Sequence, residues 1–297
     1  MGSGMTGREQ SFQSREASRG VRALLVVVLG TLTWMSGRCV AQASAIPSAA
    51  PEQAGGASAS VEQRGRVLLD QMVSALGGDA WLNRKTEVLE GRTAAFFQGA
   101  PDPGVIEYHE FRRFAASGQP ASDRFEFTKK RDVVQIWDDK SGTEITYKGA
   151  EPLPKDQVEE LLRRNAHSIE EVVRTWLKTP GVMVVSEGTS IVGRRTADKV
   201  TVLSPNNDAV TLELDTATHL PLRRSFQWRN EKFKDHDEDA EDYEDYHTIQ
   251  GLPTAFTITR YKNGDMAGQR YIVKVSYNEP LPTSLFDATI PLHGKRK

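Results

Sequence analysis

The chain has 297 residues, with 38 basic and 40 acidic side chains and a formal charge of −2. A balance this close to neutral, without a basic stripe, argues against nucleic acid as a partner, because phosphate binding needs clustered cations. Cys39 is the only cysteine, which excludes an intrachain disulfide and leaves the fold to its core.

Arg8, Arg15, Arg19 and Arg22 make a basic start, and an uncharged run follows from Ala23 to Met35. Small residues then lead to Ala41-Gln42-Ala43, an A-x-A cleavage pattern. The apolar run is shorter than the roughly 20 residues that cross a bilayer. Residues 1–43 are therefore expected to be a cleaved signal peptide for export to the periplasm. With no twin arginine, the general secretion route is the expected one. Arg38 precedes Cys39, where bacterial lipoprotein signals carry a small residue, so lipidation of Cys39 is not expected. Removal of residues 1–43 takes five arginines and two glutamates with it and leaves a formal charge of −5. Residues 44–60 are small and uncharged apart from Glu52, the composition of a disordered linker. One folded domain is expected over 61–297.

That domain opens with a helix over Val61–Leu76. Leu68, Met72 and Leu76 form an apolar stripe with Leu69 and Val73 beside them. Gly77-Gly78 stops it, and Asp79-Ala-Trp-Leu starts a further short turn. From Thr86 the period becomes two. Candidate strands cover 87–97, 104–115, 122–129, 132–138, 143–148, 182–187, 190–203, 208–215, 220–229, 243–249, 253–262 and 269–277. Turn residues such as Pro205-Asn-Asn-Asp208 and Asn263-Gly-Asp265 separate many of them, so neighbours are expected to pair antiparallel. In the last strand Tyr271, Val273, Val275 and Tyr277 share one face. In another Leu222, Phe226 and Trp228 do so, interrupted by Arg224. Between Pro152 and Pro180-Gly181 lies a helical segment, divided at His167-Ser168, with Ser168 capping its second half through Glu171. These elements make a meander of ten to twelve strands with one N-terminal and one mid-chain helical part. A sheet of that size curls, and helices closing a curled sheet leave an interior.

The sequence has no H-E-x-x-H, G-x-S-x-G, P-loop or G-x-G-x-x-G. Its six histidines lack metal-ligand spacing and read as surface or strand residues. The acidic run Asp235-His-Asp-Glu-Asp-Ala-Glu-Asp-Tyr-Glu-Asp245 fails as a calcium loop, since Ala240 stands at the glycine position and Tyr246 where a bidentate Glu belongs. It reads as a solvated loop, and more weakly as a docking surface for a basic partner. Aromatic residues are the remaining candidates. Phe97, Phe125, Phe127, Trp137, Trp176, Phe226, Trp228 and Phe256 are taken as cavity-lining, ligand-binding candidates, because cavities for alkyl chains are apolar and carry few polar groups.

Leu68-Leu-Asp-Gln-Met-Val-Ser-Ala-Leu-Gly-Gly-Asp-Ala-Trp-Leu82 with Thr86-Glu-Val-Leu-Glu-Gly-Arg92 resembles the start of bacterial outer-membrane lipoprotein-sorting proteins. Leu212-Glu-Leu-Asp-Thr-Ala-Thr-His-Leu-Pro-Leu-Arg223, Asp242–Thr254 and Val275–Asp287 resemble the later strands and the Pro-rich exit of that group. The resemblance to these LolA/LolB-like carriers implies a strongly curved antiparallel sheet, an incomplete β-barrel. It is covered by an N-terminal helix and a mid-chain helical segment around an apolar acyl-binding cavity. The implied function is a monomeric periplasmic carrier of lipid or lipoprotein acyl chains, with no catalytic residue, metal or cofactor. The alternative is an envelope module that senses or docks a membrane protein on the same fold.

Overall fold

The computed structural model describes residues 53–97, 99–116, 121–230 and 232–290. The expected signal at 1–43 and the linker up to residue 52 lie outside them. Helix α1 runs from Gln53 to Leu76, so the last eight residues of the expected linker 44–60 belong to the helix. The short α2, Asp79–Leu82, follows.

Thirteen strands then form one antiparallel sheet. They are β1 (Thr86–Phe97), β2 (Ala100–Arg113), β3 (Ser122–Phe127), β4 (Val133–Trp137), β5 (Gly142–Thr146) and β6 (Gly149–Pro152), then β7 (Met183–Val192), β8 (Arg195–Leu203), β9 (Ala209–Asp215), β10 (Pro221–Asn230), β11 (Asp235–Ile249), β12 (Leu252–Lys262) and β13 (Asp265–Tyr277). Between β6 and β7 lie α3 (Lys155–Ala166), α4 (Ile169–Arg174) and a 3₁₀ turn at Trp176–Lys178. The spatial order is β6-β5-β4-β3-β2-β1-β13-β12-β11-β10-β9-β8-β7. Every neighbour is a sequence neighbour except β1 and β13, whose pairing joins the two halves of the meander. Strands β6 and β7 stay unpaired to each other. The sheet is thus an incomplete barrel, and α3–α4 connect its two free edges.

The core is densest under β7–β9 and extends to Leu89, Tyr108, Leu252, Ile272, Val275 and Tyr277 of β1, β2, β12 and β13. Leu69 and Met72 of α1 and Val172 of α4 pack on Val184, Val200, Val202, Val210, Leu212 and Leu214, all nearly inaccessible. Gly65 lets α1 approach β7 closely, since a Cβ there would meet Val184 Cγ1 at 2.8 Å. Ser168 caps α4 as expected, accepting from the Glu171 N–H at 3.2 Å.

Three local expectations fail for identifiable reasons. Strands are expected over 182–187 and 190–203, but β7 runs through Gly188, whose positive φ of 89° makes a bulge with a register shift, and the turn comes instead at Gly193-Arg194, both at positive φ, between β7 and β8. The face assigned to Tyr271, Val273, Val275 and Tyr277 is split by a register shift opposite Glu90/Gly91. Val275 and Tyr277 are buried, whereas Tyr271 and Val273 are exposed and Ile272 turns inward. Lastly, the acidic run is not a loop. It forms the first eleven residues of β11, the longest strand.

Candidate functional site

Strand β11 explains how so many carboxylates enter a sheet. Alternation puts Asp239 and Glu241 on the concave face and Asp242 on the convex one. Register places Arg224 of β10 opposite Glu241, and Arg260 of β12 opposite the same residue. Arg224 Nη2 lies 3.0 Å from Glu241 and 3.3 Å from Asp239, and Arg260 Nε lies 2.8 Å from Asp239. On the convex side Arg223 makes a bidentate pair with Asp242, its Nη2 donating at 2.8 Å. The run is therefore complemented laterally by arginines of its neighbours, as opposite charges across strands are. Arg224, which interrupts an apolar face in the sequence, is 1% exposed and central to this wall.

A cavity of about 470 Å³ lies between the concave face and α3–α4. Strands β1–β3 and β10–β13 contribute to its wall. Part of the lining is apolar: Leu76, Leu89, Ile106, Phe125, Phe127 and Ile272. The rest departs from the simple apolar cavity implied by the resemblance, for six arginines and four glutamates line it. Arg112 holds Asp123 at 2.7 Å and Glu110 at 3.2 Å, and Arg270 reaches Glu110 and the Tyr108 hydroxyl. Arg84 holds Glu87 at 3.2 Å and Glu170 of α4 at 3.1 Å, with its guanidinium over the Trp81 ring. Arg260 also reaches Glu160 of α3. Two ion pairs, Arg84–Glu170 and Arg260–Glu160, thus tie the helical cover to the sheet.

The carboxylates respond to this setting in two ways. Burial pushes Glu87 and Asp123 upward, and their arginine partners only partly oppose it. At Glu241 burial acts in the same direction, but Arg224 and Arg164, with hydrogen bonds from Arg224 and Tyr243, outweigh it and draw the carboxyl down to about 2. Glu170 is also lowered, because Arg84 and Arg112 outweigh its burial.

Of the eight aromatic candidates, Phe125 and Phe127 line the cavity, stacked with ring centroids 5.9 Å apart. The other six are not brought to it. Phe97 is 66% exposed at the end of β1. Trp137 is buried against Gly142 and Leu153. Phe226 stacks on His167 at 4.2 Å, and Trp176 meets the same imidazole edge-on. His167 is thereby a buried histidine at the α3–α4 junction, not a surface or strand one. Trp228 lies beneath Arg163 and Lys262, and Phe256 packs on His247. The residues that sequence reasoning missed are the wall arginines. The signal in the sequence was Arg224 interrupting an otherwise apolar face; the other arginines are brought to their carboxylates by strand register.

The molecule is thus an open, curved antiparallel sheet with a helix-covered cavity, part apolar and part ion-paired. Solved structures with a similar fold include two bacterial proteins. A DUF1329 family protein from Desulfovibrio piger aligns with a TM-score of 0.54 at 10% identity, over 76% of this chain and 97% of that one. A domain assigned to the outer membrane lipoprotein-sorting proteins, from Vibrio parahaemolyticus, aligns with a TM-score of 0.50 at 8% identity, again over 76% and 97%. At these identities the likeness is one of fold, and it is the fold that the sequence resemblance implied. No family model matches the chain, and no curated protein matches it in sequence.

Proposed function

We propose that the chain is an exported, non-enzymatic binder or carrier of lipid or lipoprotein acyl chains, matured by removal of residues 1–43. The observation that carries this reading is the cavity of about 470 Å³ between the concave sheet and α3–α4, a size within the roughly 300–1,000 Å³ usual for small-molecule sites. Phe125, Phe127, Leu89 and Ile272 offer it an apolar surface. Burying about eight methylenes there supplies roughly 6 kcal/mol without any cofactor. The fold shared with a lipoprotein-sorting domain supports the same reading.

Native mass spectrometry of protein purified from the cell envelope without detergent tests it. The expected spectrum contains adducts with lipid or acyl-chain masses, removed by solvent extraction and restored by adding a fatty acid. A bare polypeptide mass, together with no binding of a fluorescent acyl probe by the extracted protein, would overturn the proposal.

A further inference from the structure

The concave wall is an almost closed electrostatic circuit, and one cation stands outside it. Five of the six lining arginines have a carboxylate within ion-pair distance. The sixth is Arg164, half-buried in the last turn of α3. Among the described residues it has no carboxylate partner within 4.0 Å, and its buried Nε has no acceptor from the protein. Burial and the nearby Arg260 lower its pKa, and Glu241, Asp239 and Glu160 do not offset them. Those three carboxylates already serve Arg224 and Arg260. Arg224 is itself only partly satisfied: Nη2 makes both of its ion pairs, while Nε and Nη1 are buried without an acceptor. Arg164 and Arg224 line the same cavity and both act on Glu241.

A guanidinium offers donors only, so the complement of these groups is an acceptor. Arg164, Arg224 and Arg260 meet Asp239, Glu241 and Glu160 there, and the groups left without a partner are guanidinium N–H donors, to which an acceptor with negative charge forms the stronger hydrogen bonds. Strand order adds a direction, because β3 with Phe125 and Phe127 lies six strand positions from β10 with Arg224. The cavity thus has guanidinium atoms without acceptors under α3, and at β3 it has Phe125 and Phe127 beside the Glu110 that Arg112 and Arg270 already pair. The geometry points to an amphiphile with an anionic head group, a carboxylate or phosphate, held by Arg164 and Arg224 with its alkyl chain running toward Phe125 and Phe127. This inference rests on the acyl-binding reading and names the head group that the same cavity selects.

Titration calorimetry with dodecanoate, dodecyl phosphate, dodecanol and inorganic phosphate, on wild type, Arg164→Gln and Arg164→Lys, separates the two. Wild type is expected to bind both anionic dodecyl compounds on the order of tenfold more tightly than dodecanol, the scale of one hydrogen bond to a charged group. Arg164→Gln removes that preference and leaves dodecanol affinity unchanged, whereas Arg164→Lys retains part of it. Inorganic phosphate is expected not to bind at the same concentrations. The melting temperature of Arg164→Gln equals or exceeds that of wild type, because an uncompensated cation has been removed; a clear drop would mean that Arg164 is already partnered and would count against the inference. Equal affinities for the three dodecyl compounds, unaltered by Arg164→Gln, would overturn the head-group assignment and leave the acyl reading standing. Failure of all three would overturn both. Inorganic phosphate binding as tightly as dodecyl phosphate would replace the amphiphile by a free-anion site.

Discussion

The two sides of the concave face are built from strands of the same period and end in opposite conditions. At β7–β9 the inward residues are Val184, Val200, Val202, Val210, Leu212 and Leu214, and α1 and α4 settle directly onto them. From β10 across β13 to β3 the same face carries Arg224, Asp239, Glu241, Arg260, Arg270, Glu110 and Arg112, and the helical cover stands off around a cavity. Branched aliphatic side chains have no lateral partners, so they gain by collapsing against a helix. Long charged side chains are tied sideways to one another across strands, and those ties hold them in the plane of the wall. Ion pairs thus mark the part of the interior that stays open, and they are weak evidence for stability in themselves.

Four substitutions can break or sharpen that contrast. The largest effect is expected from Asp239→Ala on the charged side. Asp239 is 1% exposed and serves both Arg224 and Arg260, so its loss leaves buried cations uncompensated and costs about 3–5 kcal/mol. Chemical denaturation measures it, and a loss below about 1 kcal/mol would show that the wall behaves as solvated surface. On the dry side Leu212→Ala is expected to cost about 3 kcal/mol by leaving a hole in a packed core. Its affinity for dodecanol should stay at the wild-type value, since Leu212 does not line the cavity, and a change there would show that the packed side shapes the cavity through the core cluster the two share.

Glu241→Gln is expected to cost at most about 3 kcal/mol at neutral pH, the equivalent of holding that carboxyl at about 2 rather than 4.5. Because the folded pKa is depressed, this stabilisation is complete above about pH 4.5 and is lost as the pH falls toward 2. Urea midpoints of the two proteins should therefore be furthest apart above pH 4.5 and converge toward pH 2. Glu87 and Asp123, raised by burial, act with the opposite sign, and comparison with the variant cancels them. Ser168→Ala is the smallest, about 1 kcal/mol for a lost helix cap. Thermal melting detects it, and no change would mean that the Glu171 N–H finds another acceptor.

Much of the sheet was legible because period-two alternation and turn residues are local signals. The strands at 86–97, 122–127, 209–215 and 252–262 fall within a residue or two of expectation, and the Ser168 cap is where the sequence places it. The failures share one cause. Acidic residues disfavour strands unless something opposite neutralises them, and what neutralises β11 lies on two other strands, at Arg224 and Arg260. Local reading therefore made a loop of residues 235–245. Of the aromatic candidates Phe125 and Phe127 face the cavity, and the arginines that share its wall are assembled by register. Bulges at Gly188 and opposite Glu90 are likewise pairing properties, invisible in one strand alone.

Helix α3 has a further consequence for motion. It contains Arg164 and lines the cavity with Leu161, yet it has no buried residue, whereas α4 buries Ile169, Val172 and Val173. Segments with few buried apolar contacts open with the least free energy. The amides of α3 should therefore exchange with solvent faster than those of α4, even though the two helices adjoin. An occupant gripped by Arg164 would slow exchange in α3 first, making this helix the natural reporter of whether the cavity is loaded.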